Sequence, residues 1–353
     1  MIHPAHQNSA NPWSFLPFAL TIFTSAFLLF QVQPLLSKQI LPWFGGSPAV
    51  WTTAMLFFQT LLCLGYFYAH ALAKLSSRKT QARIHVALLV LAALLAARVL
   101  PGAELRPESP DSPVLQVLLI LGVSVGLPYF CLATTGPLVQ HWFTSTAHAA
   151  SVFRLYALSN VGSFLALLSF PYLLEPWLEQ QEMGQLWTLG FWVFALLCLP
   201  VALGAWQNKP QADALNSNPG AAGETTGASD TVGHKSHVSI AQRLSWIGLP
   251  ALASLVFIAA TDQISHDVAP EPRLWISTLG LYLVTFILTF DHPRWYRPQL
   301  FGALALVLLL VTAGMSDIPR WLGIQWDYGV NEVRWSHYAL LFVVCMLCHG
   351  ELY

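Results

Sequence analysis

Asp262, His266 and Asp267 form the densest ionisable group beside an apolar stretch of this chain. Two carboxylates next to an imidazole suit the binding of a cation, a metal ion or a proton. Pro270 and Pro272 follow at once, so the same residues also read as a solvated loop at a helix end. No HExxH spacing occurs, which leaves zinc-hydrolase chemistry without its ligands.

The remaining polar candidates lie inside long apolar runs. There each one needs a reason, because a charge at a bilayer centre costs about 2.5–3.5 kcal/mol on insertion scales. Arg154 opens "RLYALSNVGSFLALL". It reads either as an interface anchor that snorkels to water or as a cation facing an anionic ligand or headgroup. Asn160, deeper in the same run, needs a partner on another helix, as packing glue or as a ligand contact. Ser159, Gly162, Ser163 and Ala166 form small-xxx-small pairs and predict close helix packing on that face. Gln31 and Gln33 sit near the outer end of the first apolar run, just before Pro34. Residues two apart do not share a helix face, so one can line a cavity while the other bonds within the bundle. Gln59, Tyr66 and His70 follow i, i+7, i+11 spacing and share one stripe, with Tyr68 nearby. A polar stripe on a membrane helix faces protein or water, as a helix–helix contact or a substrate path.

Cys345-Met-Leu-Cys348-His349 matches the CxxCH pattern of covalent haem attachment. It sits inside an apolar helix at the expected cytoplasmic end, where a packed helix end is the better account. For enzymes the gaps are informative. The chain has no GxGxxG after a predicted strand, no P-loop and no GxSxG.

These residues must be positioned by membrane helices. The charged fraction is 9%, against about 25% in an ordinary soluble domain. The hydrophobic fraction is 55% and the mean hydropathy +0.56, too apolar to cover a soluble globule with polar groups. A net charge of -1 gives no basic field for a nucleic-acid backbone. The apolar runs are long and continuous, unlike the short alternating segments of a membrane β-barrel. The fold class expected is therefore an all-α polytopic transmembrane bundle. Ten spans are read, at approximately 14–36, 50–73, 84–100, 113–138, 153–174, 185–206, 244–262, 273–290, 299–315 and 335–350. The five cysteines lie in apolar runs and form no disulfide framework. The first residues make a poor signal peptide, so the first span is expected to stay in the mature protein.

Residues 207–243 contain no tyrosine or phenylalanine and are rich in Ala, Gly, Ser, Asn and Thr. Such a stretch buries too little apolar surface to offset its ordering entropy and reads as a flexible polar linker. The domain plan is a first half-bundle over 1–206, the linker over 207–243, and the start of a second half-bundle over 244–353. Loop charges set the orientation. With a cytoplasmic N-terminus, ten of the sixteen Lys and Arg residues fall inside, led by "KLSSRKTQAR" between spans two and three. The N-terminus and linker are accordingly expected in the cytoplasm of a bacterium, with the bundle in its inner membrane.

Several ordered blocks then carry a family resemblance. "LLFQVQPLLSKQILPWFGGSPAVW" runs on to "FFQTLLCLGYFYAH"; "GLPYFCLATTGPLVQHWF", "RLYALSNVGSFLALLSFPYLLEP", "HDVAPEPRLWISTLGLYLVTFILTF" and "CHGEL" follow in order. Together they resemble bacterial fused major-facilitator/spermidine-synthase-like membrane proteins over nearly the whole chain apart from the linker. The resemblance implies further spans and a cytoplasmic spermidine-synthase-like domain, of aminopropyltransferase or methyltransferase fold, beyond the "HGEL" point. This chain stops at Tyr353 and is expected to be a fragment or a truncated product. Asp262-Gln263 stands where the family has small or hydroxyl residues, whereas Asp267 keeps the family's Asp.

The functional expectation is a membrane module that holds such a domain at the bilayer and passes a small solute, such as a polyamine. A stand-alone secondary transporter and a purely structural anchor are the alternatives. The chain itself is expected to hold no catalytic centre, cofactor or metal and to bind no nucleic acid, its partner being the lipid bilayer. Gln31, Gln33, Gln59, Arg154, Asn160 and Asp267 are the candidate cavity or substrate-path residues. Asp267 is the natural cation partner, since the bundle offers few other carboxylates.

Overall fold

Helix starts and stops follow local sequence chemistry. The computed structural model describes residues 15–45, 48–75, 77–107, 112–144, 152–207, 239–265, 272–314 and 329–352. Helix α1 (Leu16–Ile40) begins with a proline in its first turn, where the missing N–H costs nothing. A short 3-10 turn extends it to Gly45, whose φ of +69° ends the rod in the left-handed region. Helix α2 spans Pro48–Leu75, and α3 spans Arg78–Ala96 behind Ser77, whose hydroxyl accepts the Thr80 N–H.

Helix α4 (Pro113–Leu121), a π-helical turn (Gly122–Gly126) and α5 (Leu127–Phe143) form one continuous rod. Helix α6 (Val152–Ser169) likewise runs into a π segment, Phe170–Leu174. Pro171 has no N–H to give to the regular ladder, and the Glu175 N–H reaches back five residues to the Phe170 carbonyl at 2.9 Å. Helix α7 covers Gln180–Gln207. Helix α8 (Ile240–Ser265) starts inside what composition assigns to the linker. The cause is a capping box. The Ser239 N–H donates to Gln242 Oε1 at 3.0 Å and the Gln242 N–H to Ser239 Oγ at 3.1 Å. Helices α9 (Pro272–Asp291), α10 (Pro298–Gly314) and α11 (Val330–Gly350) complete the described chain, which contains no strand.

Eight helical rods among the described residues are long and apolar enough to cross a membrane, six before residue 208 and two after it. Two of the ten expected segments fall outside that set. For α9 the described apolar stretch is the shorter Ile276–Asp291. In α11 the first turns carry Asn331, Glu332, Arg334 and His337. Outward faces are strongly apolar, as on α8 (Leu255, Ile258) and α10 (Leu306, Leu310). Faces of this kind aggregate in water but are matched in lipid. The build is that of a membrane-embedded protein.

The chain divides into two compact units, Met1–Asn208 and Lys209–Tyr353. In the first, α1 is the hub and packs against α5, α6 and α7, while α2 lies on α4 and α5, and α3 on α5 and α7. Its core is aromatic, with Phe58, Tyr129, Trp187, Phe191 and Phe194 fully buried. In the second unit α11 is the hub, packed by α8, α9 and α10 around Leu341, Val344 and Cys345. Residues 208–238, most of the expected linker, lie outside the described residues.

Candidate functional site

Polar side chains in the first unit fall into three sets. The first set ties the hub helix to its neighbours. Gln33 is 6% exposed, and its amide Nε2 donates to the Tyr129 hydroxyl of α5 at 3.1 Å. Gln31, two residues earlier and on another face, donates to Ser169 of α6 at 3.4 Å. Ser25 donates to the Leu132 carbonyl at 2.9 Å, and Trp187 Nε1 to the Leu28 carbonyl at 2.9 Å. Gln180 donates to the Leu35 carbonyl at 2.7 Å. Such bonds satisfy polar groups that have no water to turn to and fix how α1 sits among α5, α6 and α7. Close approach accompanies them. A Cβ on Gly162 would lie 2.7 Å from the Phe23 carbonyl oxygen, so α6 and α1 meet backbone to backbone there. That is the packing face marked by Gly162, Ser163 and Ala166, all three buried.

The second set is a ladder between α3 and α5. Gln81 Oε1 accepts from Trp142 Nε1 at 2.8 Å. One turn on, His85 Nε2 lies 3.3 Å from the Thr135 hydroxyl. That hydroxyl donates its own proton to the Cys131 carbonyl at 2.7 Å, so the imidazole proton is on Nε2. His85 Nδ1 has no hydrogen-bond partner among the described residues. The second unit repeats the device. His349 Nδ1 meets the Thr285 hydroxyl at 3.0 Å, that hydroxyl donates to the Tyr282 carbonyl, and Nε2 has no hydrogen-bond partner among the described residues. His349 stacks on Phe286 at 3.6 Å between centroids, and Cys345 and Cys348 are buried beside it. The CxxCH residues thus form a packed helix end.

The third set faces outward. On α2, Gln59, Tyr66 and His70 are exposed, as the shared stripe requires, and Cys63 lies between them. At about 100° per residue, these four side chains fall within a sector of roughly 60°. Cys63 is the one exposed cysteine of the five. The opposite face of α2 is buried. Phe58 packs on Tyr129 at 5.0 Å between centroids, and Gly65 abuts Ala133.

The candidates therefore separate. Gln31 and Gln33 are buried and paired, and Gln59 is on the outward stripe. Arg154 is exposed in the first turn of α6. Asn160 is half-buried and donates to the Tyr156 carbonyl of its own helix at 3.0 Å. Asp262 is exposed on α8, while His266 and Asp267 lie outside the described residues. Sequence reasoning missed Tyr129, His85, Thr135 and the Gln81–Trp142 pair. The i, i+4 spacing of Gln81 and His85, facing Thr135 and Trp142 at i, i+7, was the available signal. Among the described residues no group of three or more His, Cys, Asp or Glu is disposed to hold a metal ion. No protein-family model matches the chain, and no curated protein or solved structure is significantly similar to it.

Proposed function

We propose that this chain is the integral membrane module of a spermidine-synthase-like protein, set in a bacterial inner membrane with its N-terminus and linker in the cytoplasm. It holds a cytoplasmic domain at the bilayer and passes a small polar solute along the outward stripe of α2. The observation that carries the proposal is the exposure of Gln59, Cys63, Tyr66 and His70 on one face of a helix long and apolar enough to span. Hydrocarbon offers these groups no partners, whereas water or a polar solute does. The stripe is neutral or weakly basic. A polyamine passing along it meets hydroxyl, amide and aromatic groups, and its ionic partner is assigned to Asp267.

Cys63 supplies the test. In proteoliposomes it should react with a charged, membrane-impermeant methanethiosulfonate, and millimolar spermidine should slow that reaction several-fold. Reaction with an apolar maleimide alone would place the stripe in lipid and end the proposal. Uptake of labelled spermidine should fall with Gln59→Leu; uptake unchanged by Asp267→Asn would remove Asp267 from the path. A second reading, a structural anchor without transport, is favoured by the way Gln31 and Gln33 are spent on internal partners. It predicts neither spermidine protection of Cys63 nor uptake.

A further inference from the structure

A groove of about 470 Å³ lies between the C-terminal end of α3 and the first three turns of α7. That volume is in the range of small-molecule sites. Its α7 wall is formed by Gln181, Gln185, Thr188 and Trp192, which share one helix face. Its α3 wall is apolar, with Ala97, Val99 and Leu100. The wall is firmly built. Thr188 donates to the Ala96 carbonyl at 2.9 Å, and Trp192 Nε1 donates to the Ala93 carbonyl at 3.0 Å. The end carbonyls of α3 are thus satisfied by α7. Gly184 lets Leu100 lie directly over the helix backbone, and a Cβ there would collide with that side chain. What remains unspent is the amide pair. Gln181 and Gln185 are exposed, and neither side chain hydrogen-bonds to another described residue.

The geometry points to a binding site for the glycerol–ester region of a membrane phospholipid. This inference rests on the membrane reading of the chain but is independent of the α2 path. Three features select the ligand class. The lining holds no ionisable side chain, so the recognised part is neutral and hydrogen-bonding, as two ester carbonyls are. The groove sits where both rods begin or end their apolar windows, at the level of a bilayer interface. From Gln181 to Trp192 it runs about 16 Å along α7, from that interface into the acyl region. Alongside it, on the adjacent face of α7, the exposed Leu189, Val193 and Leu196 form an apolar track for a chain.

The test uses the full chain in nanodiscs of phosphatidylethanolamine doped with a phosphatidylethanolamine that carries a diazirine next to its acyl carbonyl. Adducts on 97–100 and 181–192 should saturate as the probe fraction rises. Gln181→Leu with Gln185→Leu should cut them at least fivefold, and Ala97→Trp, which fills the groove, should do the same. Labelling of the outward face of α4, at Leu115 and Leu119, should rise linearly and stay unchanged in the variants, which also reports that their own unit is folded. Exchanging the bulk and probe headgroup for glycerol should leave groove labelling within twofold. Groove adducts that rise linearly, ignore the variants or follow the headgroup would overturn the inference. Absence of labelling on α4 as well would instead mean that the membrane reading itself has failed.

Discussion

The Gln33–Tyr129 pair shows what a buried polar contact does in this bundle. Both side chains are buried and the amide donates at 3.1 Å, so removing Gln33 strands the Tyr129 hydroxyl in an apolar core, and removing that hydroxyl leaves the amide only the longer bond to the Leu29 carbonyl, at 3.5 Å. Gln33→Leu and Tyr129→Phe should each destabilise the protein by about 1 kcal/mol, the scale of interhelical hydrogen bonds measured in membranes. The double variant should cost clearly less than the sum, because it leaves no orphan. Thermal unfolding in detergent micelles reads this directly, and strict additivity would mean the bond contributes nothing. The exposed Lys38–Glu175 ion pair is the contrast. At 2.7 Å, with its side chains 47% and 39% exposed, it joins α1 to the segment after α6, yet Glu175→Gln should change stability by less than about 0.5 kcal/mol. At this scale the sequence was half legible. A glutamine in an apolar run announces itself, whereas Tyr129, Thr135 and Trp142 look like ordinary core residues until the partner helix is placed. Asp267, the most chemically attractive residue in the sequence, lies outside the described residues.

Helices were legible wherever an apolar run could be measured against bilayer thickness, and their joints were not. The π segments at Gly122–Gly126 and Phe170–Leu174 leave no length signature. The early start of α8 depends on a Ser239–Gln242 capping box that average composition hides. Close packing was legible in part, since the small residues of α6 predicted a face but not its partner. The partner sets a sharp contrast between two glycines. Gly162→Ala would force a Cβ to within 2.7 Å of the Phe23 backbone, which cannot swing aside, so α1 and α6 must separate. Gly136 sits in α5 with nothing within 4 Å of the position a Cβ would take. There an alanine only gains helix propensity, worth up to about 1 kcal/mol. Gly162→Ala should therefore lower the unfolding temperature in detergent and Gly136→Ala should leave it unchanged or raise it. The opposite order would show that α1 and α6 are not packed through that face.

On the scale of the whole chain, the open matter is how many rods cross. Six crossings before residue 208 would return the chain to the side on which it began, the side we propose for both the loop "KLSSRKTQAR" and the linker. From loop charge we propose that this is the cytoplasmic side. Beyond the linker, α8 is long and apolar enough to span, whereas the described apolar stretch of α9, Ile276–Asp291, is shorter and carries buried threonines. Those threonines are not lost to lipid. Thr278 accepts from Thr261 of α8 at 3.0 Å and Thr285 meets His349 of α11, so the polar face of α9 is spent inside its own unit. A helix whose polar groups are paired in this way can cross, because they ask no partner of the hydrocarbon. We therefore expect α8 and α9 to cross as a hairpin, which returns Arg294 and Arg297 to the side of Lys235. In a Cys63→Ser background, cysteines at Lys235→Cys and Arg297→Cys should both react with a charged maleimide in inside-out vesicles and neither in right-side-out ones. Reaction of the two from opposite sides would mean that α9 lies within one leaflet. Reaction of both only from outside would invert the whole chain and take the linker out of the cytoplasm.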